Sequence, residues 1–193
     1  LEWLRPLAGS IDDLSVSSDD YHGSGEQHSK PETARSAARH LGIPVNFISV
    51  AEPDESSECG DSAVLYRGRA AKLLASRVPP TPWRRFTACP WENLRSPQRV
   101  HVDPVGHVHI CQGISIGNLL ERPLKQIVSE FRPDDHPIVG PLLEGGPAAL
   151  VDRYGIPHEQ GYADHCHLCY ESRRALRARF PNELAPDQMY GDA

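Results

Sequence analysis

Four cysteines are spaced so that they can hold one metal centre. Sixteen residues separate Cys89 from Gly106, four separate Gly106 from Cys111, and two separate Cys166 from Cys169. A Cys-x-x-Cys pair at a helix start brings two sulfur atoms within reach of one centre, and a hairpin that turns at a glycine brings distant backbone segments side by side. Four thiolates bind either an iron–sulfur cluster or a zinc ion. The spacing therefore predicts a thiolate site that joins a small sheet to a helix.

Two histidines beside the second cysteine leave a different zinc site open as an alternative. His107, His109 and Cys111 alternate along one predicted strand, so their side chains are expected on the same side of it. Imidazole suits zinc as well as thiolate does, and one further ligand would complete such a site. The other interpretation of the two histidines, which we favour, is an exposed polar strand face.

The first 78 residues alternate between predicted strands and helices, which indicates an α/β fold. A strand is expected within residues 11–18, a helix from the capping box at 29–32, and a strand buried on both faces over 43–50. Together they form a βαβ unit. The later elements of this part are a strand over 63–66 and a helix that begins after Arg67.

A proline-rich stretch over 78–83 marks the boundary to a small α+β cysteine-rich domain. This domain is predicted to span 79–185, with a tail over 186–193. Alternating residues on both sides of a turn at 103–106 predict a β-hairpin over 98–111. A Gly-rich segment follows over 113–118, and helices are expected over 123–131, over 147–154 and from Leu168 onwards.

Composition and charge restrict the partners of the chain. The 193 residues are 39% hydrophobic and 24% charged, with a formal net charge of -6 and no block rich in Lys and Arg. Nucleic acid is not expected as a partner, because its binding depends largely on phosphate neutralisation. No apolar run approaches the ~20 residues that span a bilayer, so no membrane partner is expected. An odd count of five cysteines without a dense disulfide pattern indicates a reducing, cytoplasmic compartment.

The chain is also expected to be a fragment of a longer protein. It begins at Leu1, and its single methionine is Met189, whereas an open reading frame normally begins with Met. A longer parent gene would confirm this expectation, and a mature N-terminus at Leu1 would count against it.

The cysteine hairpin and the later cysteine pair resemble the auxiliary-cluster domain of radical S-adenosylmethionine enzymes, in its short twitch form or a truncated SPASM form. The resemblance is specific over 100–111 and in the Cys166 and Cys169 pair, and it is looser elsewhere between about Ile11 and Arg179. The passage over 112–119 is similar to the point in that family where a Gly-Asn pair precedes a helix. The upstream strand and helix units look like the later half of the family's partial (β/α) barrel.

For the cysteines, the resemblance implies an auxiliary 4Fe–4S cluster bound by Cys89, Cys111, Cys166 and Cys169. With four protein ligands, such a cluster is expected to relay electrons or to support the structure rather than to anchor a substrate. An electron donor is then an expected partner, and the substrates of such enzymes are often peptides. A full SPASM pattern needs more cysteines than the chain has, so one auxiliary cluster is the most that it can build.

The resemblance also implies S-adenosylmethionine as a cofactor of the full-length protein. The family's catalytic cluster, held by Cys-x-x-x-Cys-x-x-Cys, reduces that cofactor to a 5′-deoxyadenosyl radical. The motif is absent from these 193 residues, so enzymatic activity is expected only in the longer protein. Ser17 and Asp19, at the end of a predicted strand, fall where the family contacts the nucleoside ribose. Arg67, after another predicted strand, is a further cofactor-binding candidate.

Several residues near the cysteines are expected to support the site. His165 and His167 flank the first cysteine of the pair and could donate hydrogen bonds to sulfur. Trp83 and Trp91 lie on either side of the first cysteine and are expected to shield the site from water. The arginines of the last helix are expected on its solvated face, and they are Arg173, Arg174, Arg177 and Arg179.

Overall fold

The computed structural model describes residues 5–18, 29–50, 53 and 64–191. These described residues divide into two compact units, the first ending at Pro53 and including Val64, and the second starting at Leu65. The division therefore falls earlier in the chain than the boundary at residue 78 that the proline-rich stretch predicts. The second unit contains all four cysteines of the predicted site.

The first unit is built on one βαβ element, as the sequence predicts. Strands β1 (Leu14–Ser17) and β2 (Val45–Ile48) pair in parallel, and helix α1 (Ser29–His40) connects them. Their small core centres on Ala38 and Ile43.

Two expectations for this part of the chain are wrong. Strand β2 is not buried on both faces, since Phe47 is 40% exposed and Ile48 is 52% exposed. A two-stranded sheet packed against one helix leaves part of its surface open. In the expected strand over 63–66, the described residues 64–66 also have no regular structure.

The second unit contains two small antiparallel sheets. Strands β4, β5 and β6 form a three-stranded sheet in that order, and β3 pairs with β7. The hairpin of β4 and β5 confirms the sequence prediction, and the Gly-rich segment, for which the sequence predicts no regular element, forms a third strand. The strands of this unit are β3 (Thr81–Pro82), β4 (His101–Val102), β5 (His107–Cys111), β6 (Ile114–Asn118) and β7 (Gly161–Tyr162).

The described part of the second unit also contains four α-helices. They are α2 (Arg69–Leu73), α3 (Leu124–Glu130), α4 (Val139–Tyr154) and α5 (His165–Leu176). The predictions of α2 and α3 are confirmed. The helix expected over 147–154 is the second half of α4, which begins at Val139 and is kinked at Gly145 and Gly146. Helix α5 begins three residues before the predicted start at Leu168.

The main core of the second unit joins the three-stranded sheet to α4, α5 and the C-terminal segment. A second cluster includes Leu168 of α5 and Trp83. Helix α5 therefore contributes buried residues to both clusters. The residues of the main core with the least exposure are Ile138, Val139, Leu150, Ile114, Tyr170, Leu184 and Tyr190.

The fold is thus of the mixed α/β class. The described residues contain one parallel strand pair, β1 with β2. The (β/α) barrel that the resemblance implies stays a prediction. None of the helices that the structure describes combines the length and the apolar character needed to cross a membrane.

Candidate metal centre

The β4–β5 hairpin carries Cys111 to the site. The Gly106 N–H donates to the Asp103 carbonyl at 3.0 Å, and Gly106 has a φ of 89°, in the left-handed region that favours glycine. The Asp103 carboxylate accepts the backbone N–H groups of Val105 and His107 at 2.9 and 3.0 Å. The turn therefore fixes the register of β5, whose last residue is Cys111.

The first turn of α5 carries the cysteine pair. Asp164 caps this helix, because its side chain accepts the His167 N–H at 2.7 Å. The Asp164 carboxylate also accepts backbone hydrogen bonds from Tyr66 and Cys166, but burial outweighs them and raises the pKa of Asp164 to about 6. The cap holds Cys166 and Cys169 one helical turn apart on the same face, as the sequence predicts.

The segment before Cys89 is held against the kink in α4. The Phe86 carbonyl accepts the Ala148 N–H at 3.1 Å. Gly146 has a φ of 63°, and a Cβ at this position would lie 2.3 Å from the Ala88 nitrogen. Only glycine allows this approach, so the kink in α4 locates the backbone immediately before Cys89.

The Cys169 thiol lies within electrostatic reach of the other three thiols. All four are free and partly buried. Burial raises the pKa of Cys169 to about 11, and repulsion from Cys111 and Cys89 adds to the increase. The pKa of Cys166 is also raised, chiefly by burial and further by Asp164, Cys169 and Cys111. Among the residues that the structure describes, no three side chains of the His, Cys, Asp and Glu types lie close enough together to form a ready metal-binding group.

Arg67 contacts one of the four thiols, that of Cys111, directly. Its Nη1 donates to the Cys111 Sγ at 3.4 Å. The preceding residue, Tyr66, is 3% exposed and hydrogen bonds to the cap of α5. The structure thus brings Arg67 to the sulfur site, and its role toward S-adenosylmethionine stays a prediction.

Arg173 is a buried cation beside the thiols. It is 2% exposed, so the expectation that it lies on a solvated helix face is wrong. Its guanidinium donates to the carbonyls of Gln112 at 2.7 Å and Cys169 at 3.2 Å, and to the Tyr190 hydroxyl at 3.2 Å. Burial opposes its charge, but attraction to Tyr190 and to the thiols of Cys169, Cys111 and Cys166 raises its pKa. Within the described chain Arg173 forms no ion pair with a carboxylate.

Sequence reasoning missed Arg173 and Tyr190. A usable signal existed for Arg173, because it follows Cys169 by four residues and Cys166 by seven, which places it on the cysteine face of α5. No local pattern marks Tyr190, which the sequence assigns to a tail. In the structure Tyr190 is fully buried, and its hydroxyl donates to the Gly113 carbonyl at 2.6 Å.

The two strand histidines do not form an exposed polar face. His109 is 1% exposed, and its Nε2 lies 2.9 Å from a carboxylate oxygen of Asp103. The ring centroids of His107 and His109 are 6.1 Å apart. Irregular pairing of β5 with β6 interrupts the simple alternation on which the expectation depended. Among the residues that the structure describes, the buried His109 Nδ1 has no hydrogen-bond partner.

The other residues expected to support the site pack elsewhere. The His165 ring meets Phe86 edge-on at 4.8 Å, and the His167 Nδ1 accepts the Ala163 N–H at 3.2 Å. Burial lowers the pKa of His167 to about 4. Trp83 lies in the second core cluster, whereas Trp91 is 43% exposed and does not shield the site.

The predicted S-adenosylmethionine residues are only partly described. Ser17 is exposed at the end of β1, in the first unit. Asp19 lies outside the described residues, and so does the fifth cysteine, Cys59. Ser17 and Arg67 belong to different units, so no geometry for this cofactor follows from them.

No family model matches the chain, and no curated protein or solved structure shows significant similarity to it.

Proposed function

We propose that the second unit binds an auxiliary 4Fe–4S cluster through Cys89, Cys111, Cys166 and Cys169, as part of a radical S-adenosylmethionine enzyme. Three separate elements carry these cysteines: the segment held at the α4 kink, the end of β5 and the first turn of α5. The second unit has its own core, and the first unit contributes none of the four ligands.

The buried charge of Arg173 is the observation that carries the proposal. A buried guanidinium is costly unless an anion or a full set of hydrogen bonds compensates it. The oxygen partners of Arg173 are neutral carbonyls and a tyrosine hydroxyl. The groups whose deprotonated forms would attract its charge are the Tyr190 hydroxyl and the thiols of Cys169, Cys111 and Cys166, and of these four the thiols are the ones that a metal centre would deprotonate. Thiolates exist at neutral pH in such a buried place when a metal centre binds them.

The donor set fits an iron–sulfur cluster chemically. Such clusters are held by four cysteine thiolates, and they supply one-electron transfer. Four ligands from the chain leave no iron for a substrate to bind, so the cysteines and Arg173 would serve electron relay or structural support. The resemblance of the hairpin and the cysteine pair to the radical S-adenosylmethionine family favours a cluster over zinc.

The remaining parts of the proposal rest on the resemblance alone. S-adenosylmethionine would be bound in the full-length protein, with Ser17 and Asp19 near its ribose. The radical would be generated at a catalytic cluster whose ligands are not in this sequence. The partners would be an external electron donor and a substrate, for which a peptide is the class suggested by the family. The compartment would be the cytoplasm.

Metal analysis of the full chain tests the proposal. We expect anaerobically reconstituted protein to be brown and to carry about four irons per chain. Cys111→Ala and Cys169→Ala should each lose most of the iron, because each removes one of the four thiolate ligands. Cys59→Ala is the matched control, since this cysteine is outside the proposed ligand set, and it should retain the iron of the unmodified chain.

A colourless protein with one zinc per chain would contradict the cluster. That result would identify the four cysteines as the ligands of a zinc-stabilised binding domain without catalysis. Full iron retention by Cys111→Ala would instead contradict the ligand assignment.

A further inference from the structure

Arg67 donates a hydrogen bond to a sulfur that the proposed cluster requires. The distance from its Nη1 to the Cys111 Sγ is 3.4 Å, and the two residues are 44 positions apart in the chain. Reduction potentials of iron–sulfur clusters depend on hydrogen bonds to the sulfurs and on nearby charge. Arg67 supplies a hydrogen bond and a positive charge at one proposed ligand, Cys111.

The backbone around Arg67 is held in place on both sides. The Arg67 N–H donates to the Leu65 carbonyl at 2.8 Å, and the buried Tyr66 hydrogen bonds to the Asp164 cap. On the other side, helix α2 begins at Arg69 and places Ala71 in the main core. The guanidinium therefore extends from a fixed point toward the end of β5.

The charges around the thiols come from two parts of the chain, the segment before α2 and helix α5 with its cap. Arg67 stands before α2, and Arg173 approaches from the third turn of α5. The carboxylate within electrostatic reach is that of Asp164 at the start of α5, on which Arg67 also acts. Arg173 is already committed to three oxygen partners, whereas the Arg67 guanidinium donates to sulfur itself.

We propose that Arg67 raises the reduction potential of the cluster by stabilising the added negative charge at the Cys111 sulfur. This inference rests on the proposed function. When an external one-electron donor delivers one electron, the cluster core falls from 2+ to 1+ and no covalent bond forms or breaks. The positive charge and the N–H donor of Arg67 favour the reduced, more negative state. Arg67 is thus a positioning and tuning residue, because it acts through the ligand.

The experiment is a potentiometric titration of the reconstituted full chain, followed by the electron paramagnetic resonance signal of the reduced cluster. We expect Arg67→Gln to lower the reduction equilibrium constant about tenfold, which for one electron corresponds to about 59 mV. Arg67→Lys keeps the charge but loses the planar donor geometry, so its potential should lie between those of Arg67→Gln and the unmodified chain.

Arg153→Gln is the matched control. Arg153 pairs with Glu144 on the surface of α4, at 2.8 Å, and its substitution should leave the potential unchanged. If Arg67→Gln loses its iron, Arg67→Lys is compared with the unmodified chain instead. A reduction potential below that of the unmodified chain is still expected for Arg67→Lys.

Two kinds of failure can be told apart. Unmodified protein that binds zinc and no iron overturns the proposed function, and this inference with it. Variants of Arg67 that carry about four irons and titrate at the unmodified potential overturn only the inference. An unchanged reduction potential together with weaker binding of S-adenosylmethionine would overturn the inference and support the cofactor-binding role that the sequence predicts for Arg67.

Discussion

Arg173 connects the chemistry of the cysteines to the stability of the second unit. Its guanidinium joins α5 to the strand-connecting residue Gln112 and to the C-terminal Tyr190. Tyr190 in turn donates to Gly113, and its ring stacks on Tyr170 at 5.8 Å between centroids. One buried cation thus holds together three parts of the chain that surround the thiols.

We expect Arg173→Met to lower both stability and iron content. The carbonyls of Gln112 and Cys169 would lose a charged donor, at a cost of about 1–3 kcal/mol for a buried group left unsatisfied. The thiolate set would also lose its buried counter-charge. The measurements are denaturant unfolding of the metal-free chain and iron per chain after reconstitution.

Arg173→Lys serves as the comparison, because it keeps the charge without the planar fork. It should retain more iron than Arg173→Met. If Arg173→Met binds as much iron as the unmodified chain and unfolds at the same denaturant concentration, the counter-charge argument is wrong.

For single residues, the sequence predicts a structural position where a short local pattern fixes it. The positions of Cys166 and Cys169 follow from helical spacing, and Gly106 follows from turn chemistry. The burial of Arg173 was missed because a charged side chain on a helix is usually exposed to solvent. Its spacing from Cys166 and Cys169, which places it on the same face of α5, was not used. Tyr190 could not be predicted, since its contacts with Gly113 and Tyr170 join positions far apart in the chain.

Among the elements, α4 depends on a histidine that precedes it. The His136 Nδ1 accepts the N–H groups of Ile138 and Val139, each at 3.2 Å, and its Nε2 lies 3.3 Å from the Ser115 carbonyl. These contacts require the neutral ring, with Nδ1 as acceptor and Nε2–H as donor. His136 therefore caps α4 and ties it to β6.

This cap makes the stability of the second unit dependent on pH. Burial lowers the pKa of His136, whereas the unfolded chain has the ordinary value of about 6.5. As pH falls through 6.5 toward the folded pKa, the unfolded state binds the proton first, so the free energy of unfolding decreases. The slope from this one group is at most about 1.4 kcal/mol per pH unit.

Two variants isolate the contribution of His136. His136→Asn keeps a side-chain acceptor but does not titrate, so it should unfold with a smaller loss of stability below pH 6.5 than the unmodified chain. His136→Leu removes the cap as well and should cost about 1 kcal/mol at pH 8. Denaturant unfolding at several pH values measures both. An unchanged pH slope in His136→Asn would rule out this role.

Regular elements were predictable where their periodicity is simple. The hairpin, α1 and α3 follow from alternation, a capping box and helical spacing. The sequence analysis assigned no element to the Gly-rich segment, but that segment forms β6, in which Gly117 pairs with Val108. The first half of α4 was missed because Gly145 and Gly146 interrupt the helix with non-helical backbone angles.

For the whole molecule, the proline-rich stretch and the compact units divide the chain at different positions. The proline-rich stretch suggested a boundary at residue 78, but α2 packs its Ala71 into the main core of the second unit, and Leu74 is buried as well. Arg67, which bonds to the Cys111 sulfur, also lies before that boundary. Prolines mark turns, and they do not reveal which core the preceding helix joins.

These positions predict how the chain tolerates truncation. A fragment of residues 65–193 contains the four cysteines, Arg67, α2 and Arg173, so it should fold and bind as much iron per chain as the full sequence. A fragment of residues 79–193 keeps the cysteines but loses Arg67 and the core contact of Ala71, so it should bind less than half of that iron and unfold at lower denaturant concentration. Iron analysis after parallel reconstitution of both fragments and the full chain measures the difference. Equal iron and equal stability in the two fragments would show that the cysteine domain begins after the proline-rich stretch, as the sequence alone suggests.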